Sequence, residues 1–452
     1  MQQRQWTSTL YFFAAAIGSS VGISNIWKFT YVAGENGGGA FVLIYALALL
    51  CIAMPAVIAE FVIGRRGGQS VVRNMSALAE KEGLSPRWRL YGWLAAVTVF
   101  IALSFYAVIA GWTIDYFVSS LLKPLETVTA QEATAGLDAL LASPARMTAS
   151  FAAFIILTAG TVALGVKNGL EKILGVMTPG LFVILGALLI YAALYGDFRR
   201  ALSFMFVFDF SAVTPTVVLM AFGQAFFSLG VGVGVLMTIA AYMDKKTSIV
   251  SSALIVAATD GGVAILAGLA IFPIVFANGL SPAEGPGLIF VTLPVAFGQM
   301  PGGAFVGPLF FLLLAMAALT SAITMLEMII ACLEDLTDLP RLPVTAATAL
   351  FLFAAGMLTV FSYNIWADVR PLAMISAFQD KTIFGLFDYF VSNLMMPIGG
   401  ICVSIIAGWG LSRASLLDEL NLKDGALFRI WLFSARYAIP AVITAVFIIN
   451  LI

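Results

Sequence analysis

Gly18, Ser19, Ser20, Gly22, Ser24 and Asn25 crowd into eight residues in the middle of an apolar segment that runs from about Leu10 to Val32. Glycine and serine loosen a helix, and each main-chain group freed in hydrocarbon costs several kcal/mol unless a polar partner meets it. What such a break offers is hard-oxygen chemistry. Freed carbonyls and hydroxyls suit a cation, and free N–H groups at a helix start suit an anion such as a carboxylate. A second interruption, FFSLGVGVG from Phe226 to Gly234, sits inside another long apolar run. One break alone is better explained by glycine faces packing against neighbouring helices. Two breaks in corresponding places of two five-span halves point to an inverted repeat, with a mid-membrane binding site where the breaks face each other. The expectation is a transporter.

The elements that must position these residues are membrane helices. Of 452 residues, 61% are hydrophobic and 10% charged, against about 25% charged in a soluble domain. Apolar runs long enough to span a bilayer recur from end to end, which indicates a polytopic helical protein and not a barrel of short alternating strands. Eleven spans are predicted, near 9–33, 38–63, 89–121, 148–165, 170–193, 213–243, 248–277, 306–337, 343–361, 383–411 and 428–452. The first is too long, and too closely followed by the second, to be a removable signal peptide. With the N-terminus cytoplasmic, the inner loops hold fifteen Lys and Arg and the outer loops six. The positive-inside rule then fixes the orientation, and an odd span count puts Ile452 outside.

The whole chain, 1–452, reads as one transmembrane domain: repeat one about 9–193, repeat two about 213–411 and an extra helix about 428–452. The stretch 278–305, with SPAEGPG and two short apolar pieces, reads either as a lid-like or re-entrant helical hairpin or as a surface loop. With no His, and with Cys51, Cys332 and Cys402 scattered, the chain shows no zinc-type spacing, disulfide framework or nucleophile–base set. An enzyme is not expected. A net charge of −1 gives no sign of a nucleic-acid partner.

GSSVGISNIWKFTYVAGENGGGAF (Gly18–Phe41) closely resembles the first-helix signature of the neurotransmitter:sodium symporter family, the LeuT fold. The similarity continues in AEFVIGRRGG (Ala59–Gly68), SFYAVIAGWT (Ser104–Thr113), GQAFFSLGVGVG (Gly223–Gly234), AGLAIFP (Ala267–Pro273) and ALTSAITMLEMIIACLED (Ala318–Asp335). The resemblance implies an all-α 5+5 inverted repeat with broken helices one and six, and bacterial members with an eleventh helix but no twelfth. It also implies Na⁺-coupled transport, with two ions expected.

Carried over by motif, one ion would be held by main-chain oxygens of Gly18, Val21 and Ala317 and hydroxyls of Thr320 and Ser321. The other would use the Ser20 carbonyl, Asn25, Ser228 and a residue of span seven, either Thr259 or Asp260. A mid-span carboxylate such as Asp260 costs about 2.5–3.5 kcal/mol to insert, which marks it as functional. With Tyr45, Gln224 and Ser228 nearby, it is expected to supply the negative charge that chloride supplies in animal relatives, so that no chloride is required.

Gly22 stands where monoamine members carry an aspartate, so the ligand's own carboxylate is left to complete the ion shell, and the cargo reads as an α-amino acid. Tyr106 and N–H groups around Ile23 and Ser24 would cradle that carboxylate. Ser20, Ile23, Ala102, Phe227, Ser228, Gly230, Val233, Ser321 and Met325 would line the rest of the site. The side-chain pocket has no fixed charge, which excludes charged side chains, and its small residues leave room for a large hydrophobic or aromatic one.

Lys28 and Asp388 match the outer-gate pair, with a lysine point charge in place of the usual arginine fork. Phe227 would be the lid. Trp6, Tyr242 and Asp335 match the inner gate, where Arg4 falls one place late. Gly169 and Pro179 enclose nine residues of span five, a spacing the family links to unwinding. Glu60 is expected to brace a broken helix through its free N–H groups.

The expected function is Na⁺:amino-acid symport into the cell across the inner (plasma) membrane by alternating access. A proton-coupled or exchange transporter, with Asp260 or Glu327 titrating, and a non-transporting amino-acid sensor are the alternatives. The identity of the amino acid, the ion stoichiometry and the oligomeric state stay open.

Overall fold

The computed structural model describes residues 5–125, 128–285, 287–337 and 339–451. Among these, nine unbroken helices are long and apolar enough to cross a membrane: Gly39–Gly67, Pro86–Leu122, Pro144–Ala163, Val166–Tyr195, Ile249–Ala277, Gly303–Thr337, Arg341–Ser362, Ile383–Gly410 and Ala426–Ile449. They correspond to spans two to five and seven to eleven.

Span one is a bent pair, Thr9–Ser20 and Ser24–Glu35, meeting at 51°. Ser8 caps its first half by accepting the Tyr11 N–H. That half ends at Val21, whose backbone is extended, and the Gly22 N–H donates to the Asn25 side chain at 3.0 Å. The polar side chain in the break thus replaces a lost helical acceptor.

Span six is also in two pieces, Pro215–Leu229 and Val235–Ala241. Gly230, Gly232 and Gly234 between them have φ of 61°, 93° and 79°, a region that residues with a β-carbon rarely enter. At Gly232 a β-carbon would also lie 2.4 Å from the Gly400 nitrogen and 2.6 Å from the Met396 carbonyl. Span six and span ten are therefore in direct peptide-to-peptide contact.

Several helices outrun their apolar stretches. Span two continues to Gly67, past Arg65 and Arg66, because Arg65 is buried. Its Nε donates to Glu419 at 2.9 Å and its Nη1 to the Thr247 carbonyl at 2.6 Å. The stretch after span seven forms a hairpin. Leu288–Gln299 is a short apolar helix whose Leu288, Ile289, Phe290 and Leu293 are buried, and a tight turn leads into span eight at Gly303. Surface helices fill the longer connections: Val71–Lys81 between spans two and three, and Ala130–Leu141 between three and four, the latter started by a Thr129/Glu132 capping box.

Candidate functional site

The two breaks face each other across spans seven and eight. On the span-eight side, the Ser321 hydroxyl stands 3.2 Å from the Gly18 carbonyl, 3.3 Å from that of Val21 and 3.3 Å from that of Ala317. The Thr320 hydroxyl lies 3.0 Å from the Ala317 carbonyl. Ser321 thus brings three carbonyls of spans one and eight together, with the Thr320 hydroxyl on one of them, in a buried place. All five are neutral hard oxygens. The donor set fits a small hard cation.

On the span-seven side, the Asn25 side-chain nitrogen donates to Ser228 Oγ at 2.9 Å, Asp260 Oδ1 at 2.7 Å and the Asp260 carbonyl at 3.1 Å. Ser228 donates to Asp260 Oδ2 at 2.8 Å, and the Tyr45 hydroxyl donates to the same oxygen at 3.4 Å. Asn25, Tyr45 and Asp260 are completely buried. Three donors thus point at one buried carboxyl group.

Of the two span-seven candidates, only Asp260 enters this cluster. Thr259 is half-buried and takes no part in the hydrogen bonds that join Asn25, Ser228, Tyr45 and Asp260. One residue along a helix is 100° of rotation, enough to take Thr259 away from span one. Gln224 reaches the Ser24 carbonyl with its nitrogen at 3.3 Å and leaves its oxygen buried without a partner.

Between the clusters lies an unspent donor. The Tyr106 hydroxyl is buried and has no hydrogen-bond partner. A β-carbon at Gly22 would come within 3.3 Å of it and 2.9 Å of Ser321 Oγ, so the phenol lies against the first break. Ser20, Ile23, Val233 and Ser321 are buried, whereas Ser24, Ala102, Phe227, Gly230 and Met325 are half-buried in mid-bundle. An orphaned phenol costs stability in hydrocarbon unless something else receives its hydrogen bond. A ligand carboxylate is of the right chemistry.

Residues 3–134 and 131–452 match the profile of the sodium:neurotransmitter symporter family. The chain belongs to that family. Within it, the protein is 36% identical over 453 residues (99% of this chain, 97% of the relative) to the uncharacterized sodium-dependent transporter YhdH of Bacillus subtilis. It is 30% identical over 460 residues (100% and 98%) to an uncharacterized sodium-dependent transporter of Haemophilus influenzae. Among solved structures, the crystal structure of MhsT in complex with L-phenylalanine superposes with a TM-score of 0.89 at 37% identity, covering 98% of this chain and 99% of that one. The architecture is thus the LeuT-type 5+5 inverted repeat with broken helices one and six and an eleventh helix. The protein is a multi-pass, sodium-dependent symporter.

The symporter makes contacts between spans at each face. On the N-terminal face, the Trp6 indole donates to the Ile239 carbonyl at 3.0 Å, the Trp6 N–H donates to the Tyr242 carbonyl at 3.2 Å, and the two rings lie 6.0 Å apart. Asp335 accepts the Ser70 N–H at 3.0 Å and so fastens the connection after span two. Arg4 lies outside the described residues. Glu327 pairs with Arg341, which also reaches Glu334 at 3.1 Å, and Tyr242 extends its hydroxyl toward Glu327 at 3.5 Å.

On the opposite face, Phe290 of the hairpin is ringed by Trp27, Trp112 and Tyr116 at centroid distances of 5.5, 5.8 and 5.1 Å. Lys28 and Asp388 form no ion pair within 4.0 Å. Lys28 Nζ stands 3.7 Å from the Phe227 ring centroid, and Asp388 accepts the Ser392 hydroxyl at 3.0 Å. A lysine lacks the guanidinium fork that would reach both groups, and here the cation–π contact is the one it makes. Glu60 accepts the Gly232 N–H at 2.6 Å, a charge-strength bond within the glycine-rich break of span six.

Proposed function

We propose that this symporter imports a neutral, large hydrophobic or aromatic L-amino acid together with two Na⁺ ions, without chloride. The observation that carries the reading is the unpartnered Tyr106 phenol lying between two oxygen-rich clusters at the two breaks. In this reading one Na⁺ is held by Gly18, Val21, Ala317, Thr320 and Ser321. The other is held by the Ser20 carbonyl, Asn25 and Ser228, with the Asp260 carboxylate behind Asn25 as the compensating charge and the cargo carboxylate completing its shell. Tyr106 and the first N–H groups of the helix after Ile23 orient that carboxylate.

Ala102, Gly230 and Val233 leave room for a bulky side chain, Phe227 covers it, and the apolar lining rejects charge. The bound phenylalanine in MhsT supports the same cargo class. The fixed charge of Asp260, held by Tyr45 and Ser228, takes the place of a chloride ion.

The face bearing Trp6, Tyr242 and Asp335 is then cytoplasmic, and the face bearing Lys28, Asp388 and Phe290 external. Repeat one covers about 9–193, repeat two about 213–411, with 428–452 outside the repeats. Two charges moved through 100 mV contribute about 4.6 kcal/mol, which supports roughly a thousand-fold accumulation.

The test is uptake of radiolabelled phenylalanine, tryptophan, tyrosine, leucine, isoleucine, glutamate and lysine into proteoliposomes, with an inward Na⁺ gradient or with choline. Na⁺-dependent accumulation confined to the bulky neutral set is the expected result. Uptake that ignores Na⁺ and follows pH would replace this reading with proton coupling. Na⁺-dependent binding without accumulation would indicate a sensor.

A further inference from the structure

Span five runs alongside the first half of span one through a single face. Glu171, Gly175 and Thr178, spaced i, i+4 and i+7, meet Thr7, Tyr11, Ala14 and Gly18, which carry the same spacing plus one further turn. Thr7 donates its N–H to Glu171 Oε1 at 2.7 Å. Gly175 admits the Tyr11 ring, whose Cε1 would stand 2.8 Å from a β-carbon there. Thr178 donates its hydroxyl to the Ala14 carbonyl at 3.0 Å. The two segments are thus in register over roughly 10 Å.

Among the described residues, Thr178 differs from most other buried threonines. Thr30, Thr98, Thr158, Thr238, Thr320 and Thr348 return their hydroxyls to their own helix, the usual habit in membrane helices. Thr178 crosses to another span. Its target is not an orphan, because the Ala14 carbonyl lies inside the Thr9–Ser20 helix and already serves the helical ladder.

The bond ends one turn before Gly18. A β-carbon on Gly18 would lie 3.1 Å from Thr178 Oγ1 and 3.2 Å from Thr320 Cβ. The Gly18 peptide is therefore held between span five on one side and span eight on the other, with its carbonyl 3.2 Å from Ser321 Oγ.

We infer that Thr178 is a positioning residue for the Gly18–Ser321 cation site, fixing the turn of span one that presents the Gly18 carbonyl. This rests on the sodium reading above. Thr178 immediately precedes Pro179, and the π-turn Val166–Leu170 starts the same span. The tether thus lies between two places where span five departs from a regular helix, and any shift of that span is passed to the ion's main-chain ligands.

The experiment compares Thr178→Val, which keeps the shape and removes the hydroxyl, with Thr178→Ser, which keeps the hydroxyl. Both are made in the full-length transporter, with Ser321→Ala as a direct-ligand reference. Proteoliposome uptake of phenylalanine gives the half-saturating Na⁺ concentration, KM for phenylalanine at saturating Na⁺, and the maximal rate. Loss of one hydrogen bond to the tether is expected to raise half-saturating Na⁺ about five-fold in Thr178→Val. KM at saturating Na⁺ should be unchanged and Thr178→Ser should resemble the wild type. If Thr178→Val does not fold, Thr178→Ala carries the same readout.

An unshifted Na⁺ dependence in the Val variant, with a shift in Ser321→Ala, overturns the tether and leaves the sodium reading standing. Equal shifts in the Val and Ser variants also overturn it, because the hydroxyl then has no part. No shift in any variant removes the sodium site and the tether together.

Discussion

Replacing Asp260 with asparagine tests the electrostatic core of the site with almost no change of shape. The carboxylate receives hydrogen bonds from Asn25, Ser228 and Tyr45 at 2.7, 2.8 and 3.4 Å. A cation bound by the other end of the Asn25 amide sits within about 5 Å of that charge, and at an effective dielectric near 20 their attraction is about 3 kcal/mol. Losing it weakens Na⁺ binding by roughly two orders of magnitude. Downgrading charge-assisted hydrogen bonds to neutral ones adds to the loss.

The assay is Na⁺-dependent phenylalanine uptake in gluconate medium, repeated with chloride. The wild type should be indifferent to chloride. The Asp260→Asn protein should be nearly inactive in gluconate and should recover where chloride supplies the missing charge. A wild type that stops in gluconate, or a variant that keeps the wild-type Na⁺ dependence there, refutes the charge argument.

Gly232→Ala should fail to give folded protein on size-exclusion chromatography, since its φ is 93° and its new carbon would lie 2.4 Å from the Gly400 nitrogen. Gly223→Ala, with nothing within 4 Å of the added carbon, should fold normally and hold or gain thermal stability. Arg65→Leu strips the buried Glu419 of its close partner at 2.9 Å and should cost about 3 kcal/mol, seen as a clear fall in melting temperature in detergent. An unchanged melting temperature would show that this buried pair does not hold the N-terminal face together.

Both breaks were legible because Gly18–Asn25 and Gly230–Gly234 interrupt apolar runs in corresponding places of the two halves, which glycine packing against neighbours does not require. The oxygen set on spans one and eight was legible for a related reason: Thr320 and Ser321 are adjacent and match a motif. What escaped depended on rotation and on distance along the chain. Thr259 and Asp260 are neighbours in sequence but lie about 100° apart around a helix, and the sequence left both open as the span-seven residue.

Thr178 and Glu171 look like ordinary helix residues until the partner 164 residues away is seen. Arg341 sits in a connection that reads only as an orientation signal, yet it folds back onto Glu327. The helix of span two runs on past its apolar stretch to Gly67, although Arg65 looks like a span terminator. Its role as a buried strut depends on Glu419, 354 positions later.

At Gly232 and Gly399 two polypeptide backbones touch with no side chains to cushion them, a β-carbon on Gly399 lying 2.1 Å from the Gly232 oxygen. Such a joint has no compliance. A swing that presses the middle of span six toward span ten must therefore push span ten with it, whereas a swing away meets no such block, so the joint favours one direction of motion over the other.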